Sequence, residues 1–140
     1  MKMSSMETRQ KNYRMSMIKS TNSKLELEVF NRLNTLGYFY EKHKKDLPGC
    51  PDIVFPSQRI VVFIDSDFWH GWNFIKWKKK LKKYWVIKIE KNIKRDRKNR
   101  IILKKAGWKV FRIWEHQWKK DKEKCIEKLR LAFNLKKYED

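Results

Sequence analysis

Acidic residues stand at the ends of two neighbouring strands that the sequence predicts near the middle of the chain. Asp52 opens the first strand, and Asp65 and Asp67 follow the second, with His70 next in the same segment. The short spacing between Asp52 and Asp65 suits a two-strand hairpin, which brings the two carboxylates to the same edge of a sheet. The sequence therefore predicts a cluster of carboxylates with a nearby imidazole.

Carboxylates in this arrangement predict a Mg²⁺ site that acts on a phosphodiester. Mg²⁺ prefers carboxylate and carbonyl oxygens, neutralises the charge that builds up on a phosphate and activates water. The pattern favours Asp52 as a metal ligand over a plain turn residue, and it leaves Asp65 open between a metal ligand and a solvated strand end. A histidine beside a metal-bound phosphate can protonate a leaving group or hold the phosphate. We therefore expect His70 to be catalytic rather than only a hydrogen-bonded loop residue.

The charge of the chain indicates a polyanionic partner. Lys and Arg number 36 against 16 Asp and Glu, which gives a net charge of +20. Counterion release makes nucleic acid the first candidate for such a chain. The lysine run at 76–83 is a solvated face that can also meet phosphates, and its DNA-binding candidates are Lys78, Lys79 and Lys82.

Composition and length indicate one folded domain. The apolar share is 41% and the aromatic share 14%, which excludes a disordered chain. The 140 residues fit a single domain at 21–140 that follows a basic N-terminal arm at 1–20. No secretory signal or membrane-spanning run is visible, so we expect no membrane partner and a cytoplasmic location.

The first predicted helix, at about 24–36, carries an acidic residue with two possible roles. Its apolar stripe consists of Leu25, Val29, Leu33 and Leu36. Glu26 lies beside this stripe and has capping-box spacing to Ser23. The spacing alone favours the role of cap partner, and the alternative is an acidic residue that faces the metal site.

The remaining pattern alternates strands and helices, as in an α/β fold. Strands are predicted at 38–40, 52–55, 59–64 and 108–114, and helices at 85–106 and 121–134. The continuous apolar run of the third strand predicts a central strand that is buried on both faces. Residues 66–84 are expected to form a loop or a broken helix.

Some of the seven tryptophans must pack in the core, and others can meet DNA. Trp108 and Trp114 are the two that we expect in the core. Phe68, Trp69 and Trp85 lie among lysines, as do aromatic residues that stack on bases or wedge between base pairs. Core packing is the alternative for these three.

Five stretches of the chain, taken together and in order, resemble one known family. They are RMSMIKSTNSKLE, LPGCPDIVF, VVFIDSDFWHG, KIEKNIKRDR and GWKVFRIWEH. From about Arg14 to Phe133 the chain is similar to the very-short-patch-repair endonucleases, which nick DNA at mismatches. The resemblance implies a restriction-endonuclease-like α/β core, in which helices flank a mixed sheet. It also implies Mg²⁺-dependent nicking of one strand beside a thymine mispaired with guanine.

The resemblance implies roles for individual residues as well. Asp52 would be the metal-binding carboxylate, and the backbone carbonyl of Ile64 would complete the metal shell. Glu26 and His70 would lie in the catalytic site, which strengthens the case for Glu26 as more than a cap partner. Asp65 falls where the best-known members have a histidine, so its role as ligand or base stays open. The aromatic residues that would intercalate at the mismatch are Phe68, Trp69 and Trp85.

The chain departs from the family at its structural zinc. The best-known members hold this zinc with three cysteines and a histidine. The corresponding positions here are Asp67, Trp72, Phe74 and His116. These side chains cannot form a four-ligand zinc site. We hypothesise that a contact between Asp67 and His116 replaces the zinc as a clamp between loop and strand.

Three functional hypotheses follow. The first is a monomeric Mg²⁺-dependent endonuclease that nicks double-stranded DNA at T:G mismatches during repair. The second keeps the nuclease without mismatch specificity, in a restriction or other DNA-processing system, because fold and motif indicate chemistry better than substrate. The third is a non-catalytic basic DNA-binding protein. The sequence does not show whether a methyltransferase or a repair protein acts with the chain.

Overall fold

A four-stranded mixed sheet organises the part of the chain that the structure describes. The structure is a computed structural model that describes the backbone of residues 24–139 and the side chains of residues 24–133. The strands are β1 (Glu41–Lys42), β2 (Ile53–Phe55), β3 (Ile60–Asp65) and β4 (Lys109–Trp114). They lie side by side in the order β1-β2-β3-β4. The first three pair antiparallel, whereas β4 lies parallel to β3.

Helices account for much of the remaining described chain. They are α1 (residues 24–35), α2 (Phe74–Trp77), α3 (Lys83–Lys105), α4 (Glu115–Lys120) and α5 (Lys122–Glu139), with a 3₁₀ turn at Lys78–Lys80. A parallel pair of strands needs a crossover, and the segment from α2 to α3 provides it between β3 and β4. Within the described residues, no helix combines the length and the apolar character needed to cross a bilayer.

Apolar side chains cover both faces of the sheet, because the side chains of a strand alternate between its two faces. On one face, alternate residues of β2 and β3 pack against helices. The members of this cluster include Leu25, Val29, Leu33, Ile53, Phe55, Ile60, Val62, Ile64, Trp118, Ile126 and Leu129. On the other face, Val54 and Val61 pack against Leu103 of α3. The predicted α/β fold with a mixed sheet flanked by helices is confirmed, and so is the burial of β3 on both faces.

The structure differs from the sequence prediction in its first strand and first hairpin. The strand predicted at 38–40 lies instead at Glu41–Lys42, because the two tyrosine rings of that segment pack against the core outside the sheet ladder. The predicted strand at 59–64 begins one residue later. Arg59 has a φ of 55° and donates its amide to the carbonyl of Pro56 at 3.1 Å, so it belongs to the turn.

Helix boundaries also differ from those predicted. α1 ends at residue 35, and Leu36 is 44% exposed rather than part of the buried stripe. Gly37, the expected stop, has a φ of 81°, a left-handed conformation that glycine adopts without cost. α3 begins two residues before the predicted start, and α5 extends beyond residue 134. The basic arm predicted at 1–20 lies outside the described residues.

The short helix α4 and its tryptophan were not predicted. Trp118 is buried against the main core cluster, and its indole Nε1 donates a hydrogen bond of 3.0 Å to Glu28 of α1. Trp108 and Trp114, which we expected in the core, are only partly buried. Trp108 covers the edge of the smaller cluster, and Trp114 lies under the guanidinium of Arg112.

Candidate active site

Asp52 directly precedes β2 in the chain, and the backbone of β3 holds its side chain in place. Its Oδ2 accepts a hydrogen bond of 2.6 Å from the amide of Ile64. The antiparallel register, which pairs Ile53 with Val62, brings Asp52 level with the last residues of β3. The Asp52 side chain is 16% exposed and lines a cleft of about 560 Å³. The hairpin therefore presents a largely buried carboxylate at an open cleft.

Glu26 and His43 lie against this carboxylate, and we call these three residues the Glu26–His43–Asp52 cluster. The Nε2 of His43 is 3.2 Å from Oε2 of Glu26 and 3.8 Å from Oδ1 of Asp52. All three side chains offer ligand atoms within 4.8 Å of one another. Glu26 of α1 thus reaches Asp52, whereas Ser23, its alternative capping partner, lies outside the described residues.

The surroundings of Asp52 favour its protonated form. Burial raises the pKa of Asp52 to about 9, and the neighbouring Glu26 carboxyl adds to the rise through a hydrogen bond and its charge. The amide of Ile64 acts in the opposite direction, and the charge of Asp65 makes a further small contribution to the rise. Two carboxylates at this distance need a proton or a cation between them. The oxygen-rich donor set therefore fits a divalent cation.

Asp65, at the end of β3, is buried and already has a charged partner. Its Oδ2 accepts a hydrogen bond of 2.6 Å from Nε of Arg112 on β4. Its Oδ1 lies 3.5 Å from Nε2 of His70. A buried carboxylate requires a partner. For Asp65 this partner is Arg112, and His70 lies beside the pair.

His70 is oriented by an acidic residue of α3. Its Nδ1 lies 2.6 Å from Oδ2 of Asp96, which leaves Nε2 beside Asp65. Burial alone would raise the pKa of Asp96, but the hydrogen bond to His70 and the charges of His70 and two arginines outweigh it and lower the pKa. Asp96 is therefore held in its ionised form and fixes the imidazole ring.

The loop that carries His70 lies directly on α3. The side chain of Asn92 donates a hydrogen bond of 3.0 Å to the carbonyl of Trp69. Gly71 has a φ of 72°, and a Cβ atom at this position would clash with the side chain of Ile93. Only glycine therefore allows the loop to approach α3 this closely, and the approach brings His70 to Asp96.

The three aromatic residues predicted to meet DNA form one group. The rings of Phe68 and Trp69 are 5.2 Å apart, those of Trp69 and Trp85 are 5.6 Å apart, and Phe68 stacks on Trp77 at 5.5 Å. The Nζ of Lys88 lies over Trp69 at 5.2 Å. We call Phe68, Trp69, Trp77 and Trp85 the aromatic cluster. All four are partly exposed.

The predicted phosphate-binding lysines have different surroundings. Lys78 pairs with Glu90 of α3 at 2.7 Å, so its charge is already compensated. Lys79 and Lys82 are exposed, and in the sequence they lie between Trp77 and Trp85 of the aromatic cluster. The latter two lysines are therefore better placed than Lys78 to meet a phosphate backbone.

Three of the four positions that correspond to the family's zinc ligands come together in space. Oδ1 of Asp67 lies 2.7 Å from Nδ1 of His116, and the Trp72 ring lies over His116 with centroids 3.9 Å apart. The Asp67 amide also donates to Glu115 at 3.4 Å, and Phe74 is buried nearby in the chain. Only two of the four side chains can ligate zinc, so the residues do not fit a structural zinc site.

Three residues of the site were missed by the sequence analysis. His43 is one of three histidines and carried no motif signal. Asp96 interrupts the apolar spacing of α3, and this interruption was the only sign in the sequence that the residue has a role in the site. Arg112 alternates with apolar residues in β4, an unusual place for an arginine unless it has a buried partner.

The family of the chain follows from comparison with known proteins. The family model described as "DNA mismatch endonuclease Vsr" matches residues 3–76, a segment that includes Glu26, Asp52 and His70. The chain belongs to the Vsr family. The very-short-patch-repair resemblance in the sequence is thereby confirmed.

Curated relatives extend the match beyond this segment. Type II nicking enzyme V.XorIIP of Xanthomonas oryzae pv. oryzae is 41% identical over 105 residues, which cover 74% of this chain and 77% of the relative. Type II nicking enzyme V.NmeAIP of Neisseria meningitidis serogroup A is 38% identical over 132 residues, or 92% and 94% of the two chains. DNA mismatch endonuclease Vsr of Escherichia coli is 33% identical over 110 residues, or 77% and 69%. Membership of the Vsr family and these relatives support a DNA endonuclease.

Proposed function

We propose that this chain is a Mg²⁺-dependent endonuclease that nicks one strand of duplex DNA beside the thymine of a T:G mismatch. The observation that carries the proposal is the pair of adjacent carboxylates, Glu26 and Asp52, near a cleft that also contains His70. The E. coli relative is named a DNA mismatch endonuclease, and those from Xanthomonas and Neisseria are named nicking enzymes. These names support the mismatch and the nicking parts of the proposal.

Asp52, Glu26 and the carbonyl of Ile64 are the groups that would hold Mg²⁺. Their oxygen atoms suit a hard cation, and a cation would compensate the charge of the Asp52 carboxylate, whose pKa is raised by burial and then by the neighbouring Glu26 carboxyl. When bound, Mg²⁺ neutralises charge on the phosphate and activates water. The Ile64 amide holds Asp52 at 2.6 Å, which keeps this carboxylate in one orientation before any cation arrives.

His70 is the proposed general acid. Asp96 holds its Nδ1, which leaves Nε2 of this cleft-lining histidine to carry the proton that would pass to the oxygen leaving the phosphorus. Asp65 lies beside Nε2 and compensates the charge of a protonated ring. We infer that Asp65 supports His70 and does not itself activate water, because Arg112 already occupies its other oxygen.

The aromatic cluster and its lysines are the proposed DNA-binding surface. Phe68, Trp69 and Trp85 would stack on or between bases, and such stacking contributes about 1–3 kcal/mol per base. Lys79 and Lys82 would contact phosphates, a contribution that does not depend on sequence. A mismatch is a single asymmetric target, so we propose that the enzyme acts as a monomer.

A second candidate function is nicking without a mismatch, alongside a restriction system. The printed names of the Xanthomonas and Neisseria relatives, which describe type II nicking enzymes, favour it. This candidate uses the same metal site and the same general acid. It differs from the first only in the DNA that is cut.

A plasmid assay tests the proposal. Supercoiled DNA that carries one T:G pair is incubated with the full chain and Mg²⁺, and we expect open circles from the wild type. Asp52→Ala should give none, whereas Asp46→Ala, which removes an exposed carboxylate of the same segment, should cut normally. Linear DNA would contradict nicking, and activity in EDTA would contradict the metal. Equal cutting of a plasmid with T:A at that position would exclude the mismatch and support the second candidate.

A further inference from the structure

His43 directs a ring nitrogen at both carboxylates of the Glu26–His43–Asp52 cluster. Its Nε2 is 3.2 Å from Glu26 and 3.8 Å from Asp52. Neighbouring ligands of an octahedral metal with bonds of about 2.1 Å lie roughly 3 Å apart. The distance to Glu26 also suits a hydrogen bond, but the distance to Asp52 is too long for one. Both distances are close to the spacing of ligands that share one ion.

The backbone of Asp52 holds His43 in this position, directly after β1. The His43 amide donates a hydrogen bond of 3.1 Å to the carbonyl of Asp52. His43 has a φ of 46°, a left-handed conformation that costs free energy for a residue with a Cβ atom. The Phe30 ring meets the imidazole edge-on, with centroids 5.9 Å apart. The ring is therefore placed against Asp52 by its backbone and by a core phenylalanine.

We propose that His43 is a nitrogen ligand of the metal, which makes the centre a site of two carboxylates and one imidazole. This inference rests on the proposed metal-dependent function and adds a ligand to it. Imidazole ligands suit transition metals, whereas Mg²⁺ prefers oxygen, and affinity for first-row ions rises from Mn²⁺ to Co²⁺ and Ni²⁺. The centre therefore binds Mn²⁺ and Co²⁺ more tightly than Mg²⁺, although Mg²⁺ can occupy it.

Pulsed electron paramagnetic resonance on Mn²⁺ bound to the full chain tests the ligand directly, because a coordinated imidazole couples its nitrogen to the metal spin. The chain has three histidines, so His43→Gln, His70→Gln and His116→Gln form a complete set. We expect nitrogen coupling in the wild type and in the last two variants, and its loss in His43→Gln alone. Circular dichroism checks that each variant is folded.

Titration calorimetry provides a second readout that does not depend on cutting. Loss of a group that only supports a metal ligand costs about 10- to 100-fold in affinity. We therefore expect His43→Gln to weaken Mn²⁺ binding at least about tenfold. Its effect on Mg²⁺ binding should be smaller, so the ratio of the two affinities should fall.

The possible results separate the inference from the proposed function. Mn²⁺ that binds the wild type without nitrogen coupling, or with coupling lost in His70→Gln instead, would overturn the role of His43 and leave the metal-dependent nuclease intact. A wild type that binds neither Mn²⁺ nor Mg²⁺ and still cuts DNA would overturn both.

Discussion

Arg112 donates a 2.6 Å hydrogen bond from Nε to Oδ2 of Asp65, and this ion pair joins β3 to β4 beside the cleft that Asp52 and His70 line. The Asp65 side chain is 5% exposed and that of Arg112 is 21% exposed. The guanidinium also lies 4.1 Å from the centroid of the Trp114 ring, which restricts it from a second direction. A carboxylate held in this way is poorly placed to activate water. Its free oxygen faces His70 instead.

Removal of Arg112 should therefore destabilise the fold. Arg112→Met leaves Asp65 buried without its charged partner, and the loss of one member of a buried pair costs about 3–5 kcal/mol. We expect a lower urea midpoint, with a loss toward the lower end of that range because Arg112 is partly exposed. The double variant Asp65→Asn, Arg112→Met should recover part of the loss. If it is no more stable than Arg112→Met alone, the ion pair does not explain the burial of Asp65.

The raised pKa of Asp52 predicts how the metal-free protein responds to pH. The folded state keeps a proton on Asp52 up to about pH 9, whereas the unfolded chain releases it near pH 3.8. The unfolded state binds fewer protons across this interval, so stability falls as the pH rises from 3.8 to about 9.

Asp52→Asn should remove this part of the pH dependence. In EDTA at pH 8 we expect its thermal midpoint to exceed that of the wild type by roughly 5 °C. Near pH 4 the two midpoints should converge. Thermal unfolding followed by circular dichroism measures both, and parallel curves at all pH values would contradict the burial of a proton on Asp52.

Most of the sheet was predictable from the sequence because its signals are local. The apolar run of β3, the alternation of β4 and the position of Asp52 before β2 are each visible within a few residues. The ion pairs are not local, since His70 and Asp96 are 26 residues apart and Asp65 and Arg112 are 47 apart. Helix periodicity shows which face of α3 is apolar but not which polar side chain reaches the site.

The aromatic cluster should contribute to DNA binding in proportion to stacking. Trp85→Ala should weaken binding to a T:G duplex by about 1–3 kcal/mol. Trp108→Ala is a matched control, because this tryptophan packs at the opposite end of the sheet from the cluster's loop and lies under Arg59. Fluorescence anisotropy with labelled duplexes measures the affinities. Equal losses for the two variants would show that Trp85 has no specific role in DNA binding.

The Asp67–His116 contact should stabilise the loop without zinc. Purified protein should contain no stoichiometric zinc by metal analysis, and EDTA should leave its thermal midpoint unchanged. Asp67→Asn removes one charge from the contact and should cost about 1 kcal/mol, because hydrogen bonds to charged groups contribute about 1.5–3 kcal/mol and this one is partly exposed. Stoichiometric zinc in the wild type would contradict the clamp.

Strand-specific cutting of a matched set of duplexes tests the central claim most directly. End-labelled duplexes that differ only in one T:G, T:A or C:G pair are incubated with Mg²⁺ and either the wild type or Asp52→Ala. We expect one nick beside the thymine of the T:G pair, in that strand only, and none with the variant. Wild-type cutting that is the same for all three duplexes would contradict mismatch specificity. Cutting by Asp52→Ala would contradict the role of this carboxylate in the reaction.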